Sequence, residues 1–292
     1  MNHSHDSPGA RFRRALDDAP LIIPGVFNAL TARMAERAGF RAVYQSGAAL
    51  SAGLAAVPDI GLISQTEFAE QARYLTEAVA IPVISDADTG FGEPIVVERT
   101  VQLFEAAGLA GLHLEDQQLP KRCGHLSGKK LVTTDEMVAK IKAAVAARNN
   151  SAFTIIARTD ARAVESMESA LERSAAYVEA GADMVFPEAL QTADEFAKFA
   201  VGVEVPLIAN MTEFGKSPLL SAKELGEMGY AAVLFPVTLL RVAMQAVRET
   251  LSEIAEQGTQ RHLIDRMLTR AELYDQIDYE GYDRRDQEYF GG

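Results

Sequence analysis

A closed (β/α)8 barrel of the TIM type is the α/β fold class this sequence predicts, on three observations. Eight short runs rich in Val, Ile and Leu recur along its 292 residues, amphipathic stretches separate most of them, and the residues that punctuate the two alternate in a regular way. Fully apolar strands alternating with helices belong to a parallel sheet covered by helices. An odd/even alternation carried through eight units predicts closure, in preference to an open doubly wound sheet of equal strand count.

In chain order the runs are 21–23, 42–44, 82–84, 111–114, 154–157, 184–186, 206–209 and 231–235. The first, third and seventh begin at Pro20, Pro82 and Pro206, where a missing N–H costs no important ladder bond. The second, fourth, sixth and eighth each follow a helix end closed by glycine: Gly39, Gly108, Gly181 and Gly229. Glycine just past a helix supplies the left-handed turn that stops it. Apolar residues three and four apart predict helices over 66–79, 93–107, 134–147 and 167–180. Beyond the eighth run, 237–257 and 261–274 are helical in pattern, whereas the acidic, Tyr-bearing tail 275–292 reads as irregular unless docked. No linker interrupts the chain, so 1–292 is expected to be one barrel domain with additions from about residue 237.

Composition narrows the function classes. A net charge of −13 argues against nucleic-acid or anionic-membrane partners, which require a dense Lys/Arg footprint. One Cys excludes an internal disulfide and a multi-thiolate zinc cluster, and a reducing cytoplasm is the expected compartment. Residues 1–14 lack an apolar core, so no secretory signal is expected, and no apolar run approaches the roughly 20 residues that span a bilayer.

Barrel active sites lie at the C-terminal strand ends, and nearly every run leaves through polar residues. These include Tyr44, Ser46, Asp86, Asp88, Glu115, Asp116, Arg158, Asp160, Glu188, Asn210 and Thr212. Several acidic groups at one barrel mouth are costly without a cation. Asp86 and Asp88, with Glu115 in support, are therefore metal candidates, and their oxygen donors suit Mg²⁺. Cys123 stands between Arg122 and Gly124 in a polar stretch that also holds Lys121 and His125, neighbours expected to lower a thiol pKa and make it functional. No lysine stands at a strand end, which disfavours Schiff-base chemistry, and no phosphate-cradling glycine motif is present.

Lys121–His125 resembles the active-site loop signature of the isocitrate lyase/phosphoenolpyruvate mutase superfamily. The segments 24–29, 44–47, 86–92, 113–116, 157–160, 186–188, 210–215 and 269–274 are similar to its other motifs. Length and wording are most similar to its 2-methylisocitrate lyase branch. The resemblance implies a Mg²⁺-dependent cleavage of a branched tricarboxylate, 2-methylisocitrate, to pyruvate and succinate in propionate breakdown. It also implies a homotetramer with the C-terminal helices in the contacts. Carried over by motif, Ser46, Gly47 and Ala48 would hold a carboxylate, Ala48 standing where glycine is expected. Asp86, Asp88 and Glu115 would carry the metal. Cys123 and Gly124 would belong to a mobile loop, Cys123 acting as general acid, with Tyr44 and Arg158 as further catalytic residues. Glu188, Asn210, Met211, Thr212, Arg241 and Arg270 would complete the substrate site together with Arg158.

Overall fold

The computed structural model describes residues 7–18 and 20–291; residues 1–6 of the polar N-terminal stretch, in which no signal is expected, and Gly292 of the tail lie outside them. All eight predicted runs are strands: β1 Leu21–Val26, β2 Val43–Gln45, β3 Val83–Asp86, β4 Gly111–Glu115, β5 Thr154–Thr159, β6 Met184–Pro187, β7 Ile208–Asn210 and β8 Ala232–Phe235. They pair in parallel in the order β6-β5-β4-β3-β2-β1-β8-β7. A parallel bridge from Val185 to Leu207 joins β6 to β7, so the sheet closes on itself. The four helix-ending glycines adopt φ values of +90° at Gly39, +85° at Gly108, +104° at Gly181 and +102° at Gly229, as their position after a helix required.

Alternation along each strand divides the core. Val43, Val83, Leu112, Leu114, Ile155 and Ala157 face the surrounding helices in one buried cluster, and Val185, Leu207, Ala209 and Val233 do so in another. Ile23, Tyr44, Ile84, Ile156, Met184, Phe186, Ile208 and Leu234 fill the barrel itself, joined by Phe12 and Ala15 of the helix Pro8–Ala15. The inward parity of Tyr44, His113, Arg158 and Phe186 follows from this two-residue period. It directs the polar residues that continue each strand towards one mouth.

The chain divides into two compact units, Met1–Leu239 and Leu240–Gly292. The second unit holds most of the helix Thr238–Gln257, then a 3₁₀ segment Arg261–Arg266 and the helices Arg270–Gln276 and Tyr279–Tyr289. The expected single helix over 261–274 is thus interrupted. Thr269 and Glu272 form a reciprocal capping pair that starts a new helix at Arg270. Within the tail, Tyr279–Tyr289 is helical rather than irregular. Its Gln287 reaches back one turn to Asp283 at 2.8 Å, and Arg285 lies over the Tyr282 ring. Among the described residues no helix is long and apolar enough to cross a membrane.

Candidate active site

At the ends of β2–β4, buried carboxylates meet a single ammonium. Asp86, the last residue of β3, accepts the N–H of Asp88 on Oδ1 (2.9 Å) and the N–H of Gly47 on Oδ2 (3.2 Å). Gly47 must lack a side chain, because a β-carbon there would stand 2.5 Å from Asp86 Oδ2. Ser46 caps the helix Gly47–Ala55 by accepting from Ala49 N, which aims that helix N-terminus at Asp86. Asp88 turns out of the strand at φ +46°. Lys121 Nζ lies 2.6 Å from Asp88 Oδ1 and also pairs with Asp59. Burial, with the charge of Asp86 added, pushes Asp88 up to about 7. For Asp86 the same burial is outweighed by His113, Lys121 and Arg158, which hold it below its ordinary value. Burial also pulls Lys121 downward, but Glu115, Asp88, Asp86 and Asp59 more than reverse it, so the ammonium stays charged.

Arg158, on β5, is the second centre. Its Nε and Nη2 donate to Asp160 at 3.0 and 3.3 Å, its Nε lies 3.4 Å from Glu115 Oε2, and its Nη1 lies 3.3 Å from Glu188 Oε2. The guanidinium sits over the Phe186 ring, whose edge meets His113. Glu188 also takes both contacts of the Asn210 amide, at 3.2 and 3.3 Å. Burial would raise Glu188, but Arg158, His125 and Lys129 hold it well below the usual carboxylate range. Tyr44 Oη lies 2.8 Å from His113 Nε2. Burial, reinforced by Asp86, raises the phenol well above its ordinary pKa, while burial drops His113 to about 4. Both groups are neutral near pH 7, and the His113 tautomer sets which of the two donates in the hydrogen bond they share.

The stretch 117–131 forms a loop over these groups, closed at its base by an antiparallel bridge between Gln117 and Leu131. The Gln117 amide exchanges two 2.9 Å hydrogen bonds with the backbone of Arg122. Gly124 rests directly on the site: a β-carbon there would stand 2.3 Å from Glu188 Cγ and 2.5 Å from Arg158 Nη2. His125 Nδ1 accepts from Lys216 N at 2.9 Å, which leaves the ring proton on Nε2, 2.8 Å from Glu188 Oε1. Cys123 is half-buried. Its thiol pKa is raised, by burial first, with Glu188 and Asp59 adding to it. The expected lowering by cationic neighbours fails because those cations point elsewhere, Lys121 to Asp59 and Asp88 and Arg122 to Ser127 O.

A sequence profile of the phosphoenolpyruvate phosphomutase family matches residues 12–255. The chain belongs to that family. The 2-methylisocitrate lyase of Aeropyrum pernix is 50% identical over 284 residues, which cover 97% of this chain and 91% of that protein. A crystal structure of 2,3-dimethylmalate lyase, itself described as a member of the PEP mutase/isocitrate lyase superfamily, superposes with a TM-score of 0.91. It is 35% identical and covers 97% of this chain and 95% of its own. Phosphonopyruvate hydrolase in complex with oxalate and Mg²⁺ superposes at 0.88, with 32% identity over 97% of this chain and 99% of its own. Like these lyase relatives, this family member is a carbon–carbon lyase.

Within the family member's barrel, the structure brings together Tyr44, Ser46, Gly47, Asp86, Asp88, Glu115, Gly124, Arg158, Glu188 and Asn210, with Cys123 beside Gly124. Ala48, the second residue of its helix, is half-buried, and Thr212, two residues beyond Asn210, is buried on the same parity. Met211 does not join them. As the residue between two inward positions it faces outward, packed with Phe196, Leu207 and Tyr230. Arg241 and Arg270 belong to the second unit, where Arg270 opens a helix. Sequence reading missed Asp59, Gln117 and Lys129 as site residues, and gave Lys121 only the role of a cation beside Cys123. Asp59 and Lys129 act across long sequence separations, and Gln117 acts on Arg122, five residues on, within an irregular loop.

Proposed function

We propose that this lyase cleaves 2-methylisocitrate between C2 and C3 to pyruvate and succinate, with Cys123 as the general acid, as a step of propionate breakdown. The observation that carries the reading is the chain's single thiol, held protonated in a half-buried loop whose next residue lies against Arg158 and Glu188. A protonated thiol can deliver its proton to a carbanion generated beside it, and a guanidinium stabilises the charge that precedes the transfer. The 50% identity to a named 2-methylisocitrate lyase supports the choice of substrate.

Three features fit Mg²⁺. The donors at the β3 and β4 ends are oxygens, Glu115 Oε1 is buried without a hydrogen-bond partner, and the buried Asp86–Asp88 pair needs positive charge beyond that of Lys121. Among the described residues no three His, Cys, Asp or Glu side chains stand close enough together to hold a metal by themselves. Asp86 and Asp88 would hold it, with Glu115 in support. When bound, Mg²⁺ supplies Lewis-acid stabilisation of negative charge on a 2-hydroxy or 2-oxo acid. Around it, Ser46, Gly47 and Ala48 place a helix N-terminus for a substrate carboxylate. Tyr44 takes part as a neutral phenol, since burial holds its proton in place. Asn210 and Thr212 bind further substrate oxygens, and Arg241 and Arg270 remain assigned to substrate by motif alone.

A homotetramer in the cytoplasm completes the reading. Val247, Leu251 and Ile254 form an exposed apolar stripe on the helix Thr238–Gln257 that assembly through the C-terminal unit would cover, and the lone free thiol suits a reducing compartment. Cleavage of 2,3-dimethylmalate is the second reading, since a carbon–carbon lyase for that acid is 35% identical over 97% of this chain. Release of the 2-oxo acid, pyruvate from 2-methylisocitrate and 2,3-dimethylmalate and glyoxylate from isocitrate, measured as kcat/KM with Mg²⁺ and with EDTA, decides between them. A clear preference for another acid, or full activity in EDTA, overturns the proposal.

A further inference from the structure

Lys129 lies at the far end of the Cys123 loop, yet its ammonium is among the most buried charges in the barrel unit. The side chain is 1% exposed and meets Asp160 Oδ1 at 2.5 Å, the Asp160 side chain being 0% exposed. The same Nζ donates to the carbonyl of Gly124, five residues back at the loop tip. A buried ammonium persists only where it is paired and hydrogen-bonded, and here one partner belongs to the barrel and the other to the loop. The barrel partner is rigid. Asp160 receives two bonds from Arg158, and its own N–H donates to Asp116 Oδ1 at 2.9 Å. Asp116 is in turn fixed by the hydroxyls of Thr159 and Tyr177 at 2.8 and 2.9 Å. No other loop side chain in the described structure joins the loop tip to the β5 end in this way. Lys121 ties the opposite side of the loop to Asp59 and Asp88. Lifting Gly124 off Arg158 and Glu188 would take away the Gly124 carbonyl that Lys129 holds against Asp160.

We propose that Lys129 is a positioning residue, a latch that holds the Cys123 loop closed on Arg158 by bridging the Gly124 carbonyl to Asp160. Its catalytic consequence rests on the reading above, in which Cys123 acts on the substrate; its structural consequence does not. Because Cys123 is the only cysteine, its alkylation reports opening of this loop without interference.

The test measures carboxamidomethylation of substrate-free protein by iodoacetamide at pH 8, followed by mass, for the parent, Lys129→Met and Lys129→Gln. Melting curves confirm that each variant is folded at the assay temperature. The latch predicts alkylation at least tenfold faster in the Met variant, and faster than the parent in the Gln variant, which keeps a donor but loses the charge. In turnover, kcat falls more than KM rises. A lysine that merely stabilises the fold lowers the melting temperature and leaves the alkylation rate of the folded protein unchanged. Rates within twofold of the parent in the folded variants overturn the latch, and the Gln variant carries the test should the Met variant not fold. If the parent releases no pyruvate from 2-methylisocitrate, the functional reading fails while the alkylation comparison still decides the latch.

Discussion

Arg158 and Asp160 stand two residues apart at one strand end and form a two-point ion pair, with Nε to Oδ2 at 3.0 Å and Nη2 to Oδ1 at 3.3 Å. The pair leaves Nη1 directed at Glu188, 3.3 Å away, so the guanidinium is fixed in plane by three carboxylates, Glu115 being the third. Such a fork is specific to arginine: a lysine supplies one point charge and cannot hold two partners in one plane. Arg158→Lys is expected to keep the protein folded and lower kcat/KM by about 10²-fold, the scale seen when one oriented donor to a developing charge is lost. Steady-state kinetics beside a melting curve check this. Activity within threefold of the parent would show that only the charge matters.

Cys123 offers a separate test, because its chemistry and its packing are separable. The residue is half-buried and its thiol is held protonated by burial, so serine conserves size and polarity while removing an acid of usable strength. Cys123→Ser is expected to change stability by less than about 0.5 kcal/mol. Its kcat should fall by about 10²–10⁴-fold, the range for loss of a positioned general acid, with KM little altered. A fall in KM-dependent binding alone would assign the thiol to substrate recognition instead.

Metal binding has a readout that needs no turnover. Stripped protein should gain about 2.7 kcal/mol when Mg²⁺ reaches a hundredfold excess over its Kd. At roughly 2–4 °C per kcal/mol for a chain of this size, the melting temperature rises by about 5–10 °C. Asp88→Asn removes half of the buried carboxylate pair, and most of the shift should disappear with it. A full shift in that variant would place the ion elsewhere.

How far the sequence revealed this molecule depended on whether a feature was periodic or long-range. The eight strands and their glycine-ended helices were legible because each is written in local period and punctuation. The inward residues Glu115, Arg158 and Glu188 were legible for the same reason. Met211 was misplaced because it was carried over with its motif neighbours Asn210 and Thr212, although a strand turns alternate residues to opposite faces. The Cys123 pKa was misjudged because Lys121 and Arg122 are adjacent in sequence but aim their charges away from the sulfur. Lys129–Asp160 and Lys121–Asp59 join residues dozens of positions apart, and nothing local announces either pair. The tail looked unstructured from its acidity alone, yet its polar residues pair within one helix.

Asp116 lies behind the site and never faces its opening. Its carboxyl accepts from Asp160 N, Thr159 Oγ1 and Tyr177 Oη, but burial, with the charge of Asp160 added, pushes it up to about 6. The sign follows from linkage. Between the ordinary aspartate value near 4 and the folded value, the folded protein holds a proton that the unfolded chain has released. Stability from this group is therefore fully present below about pH 4 and declines as pH rises through 6, by an amount on the order of 3 kcal/mol. Glu188, held below its ordinary value, works in the opposite sense and loses its contribution as pH falls. Only a difference between variants isolates Asp116. Denaturant unfolding of the parent and Asp116→Asn at half-unit steps from pH 4 to 7 is expected to show the parent losing about 3 kcal/mol relative to the variant as pH rises. A constant gap across that range would mean that Asp116 ionises in the folded barrel as it does in water.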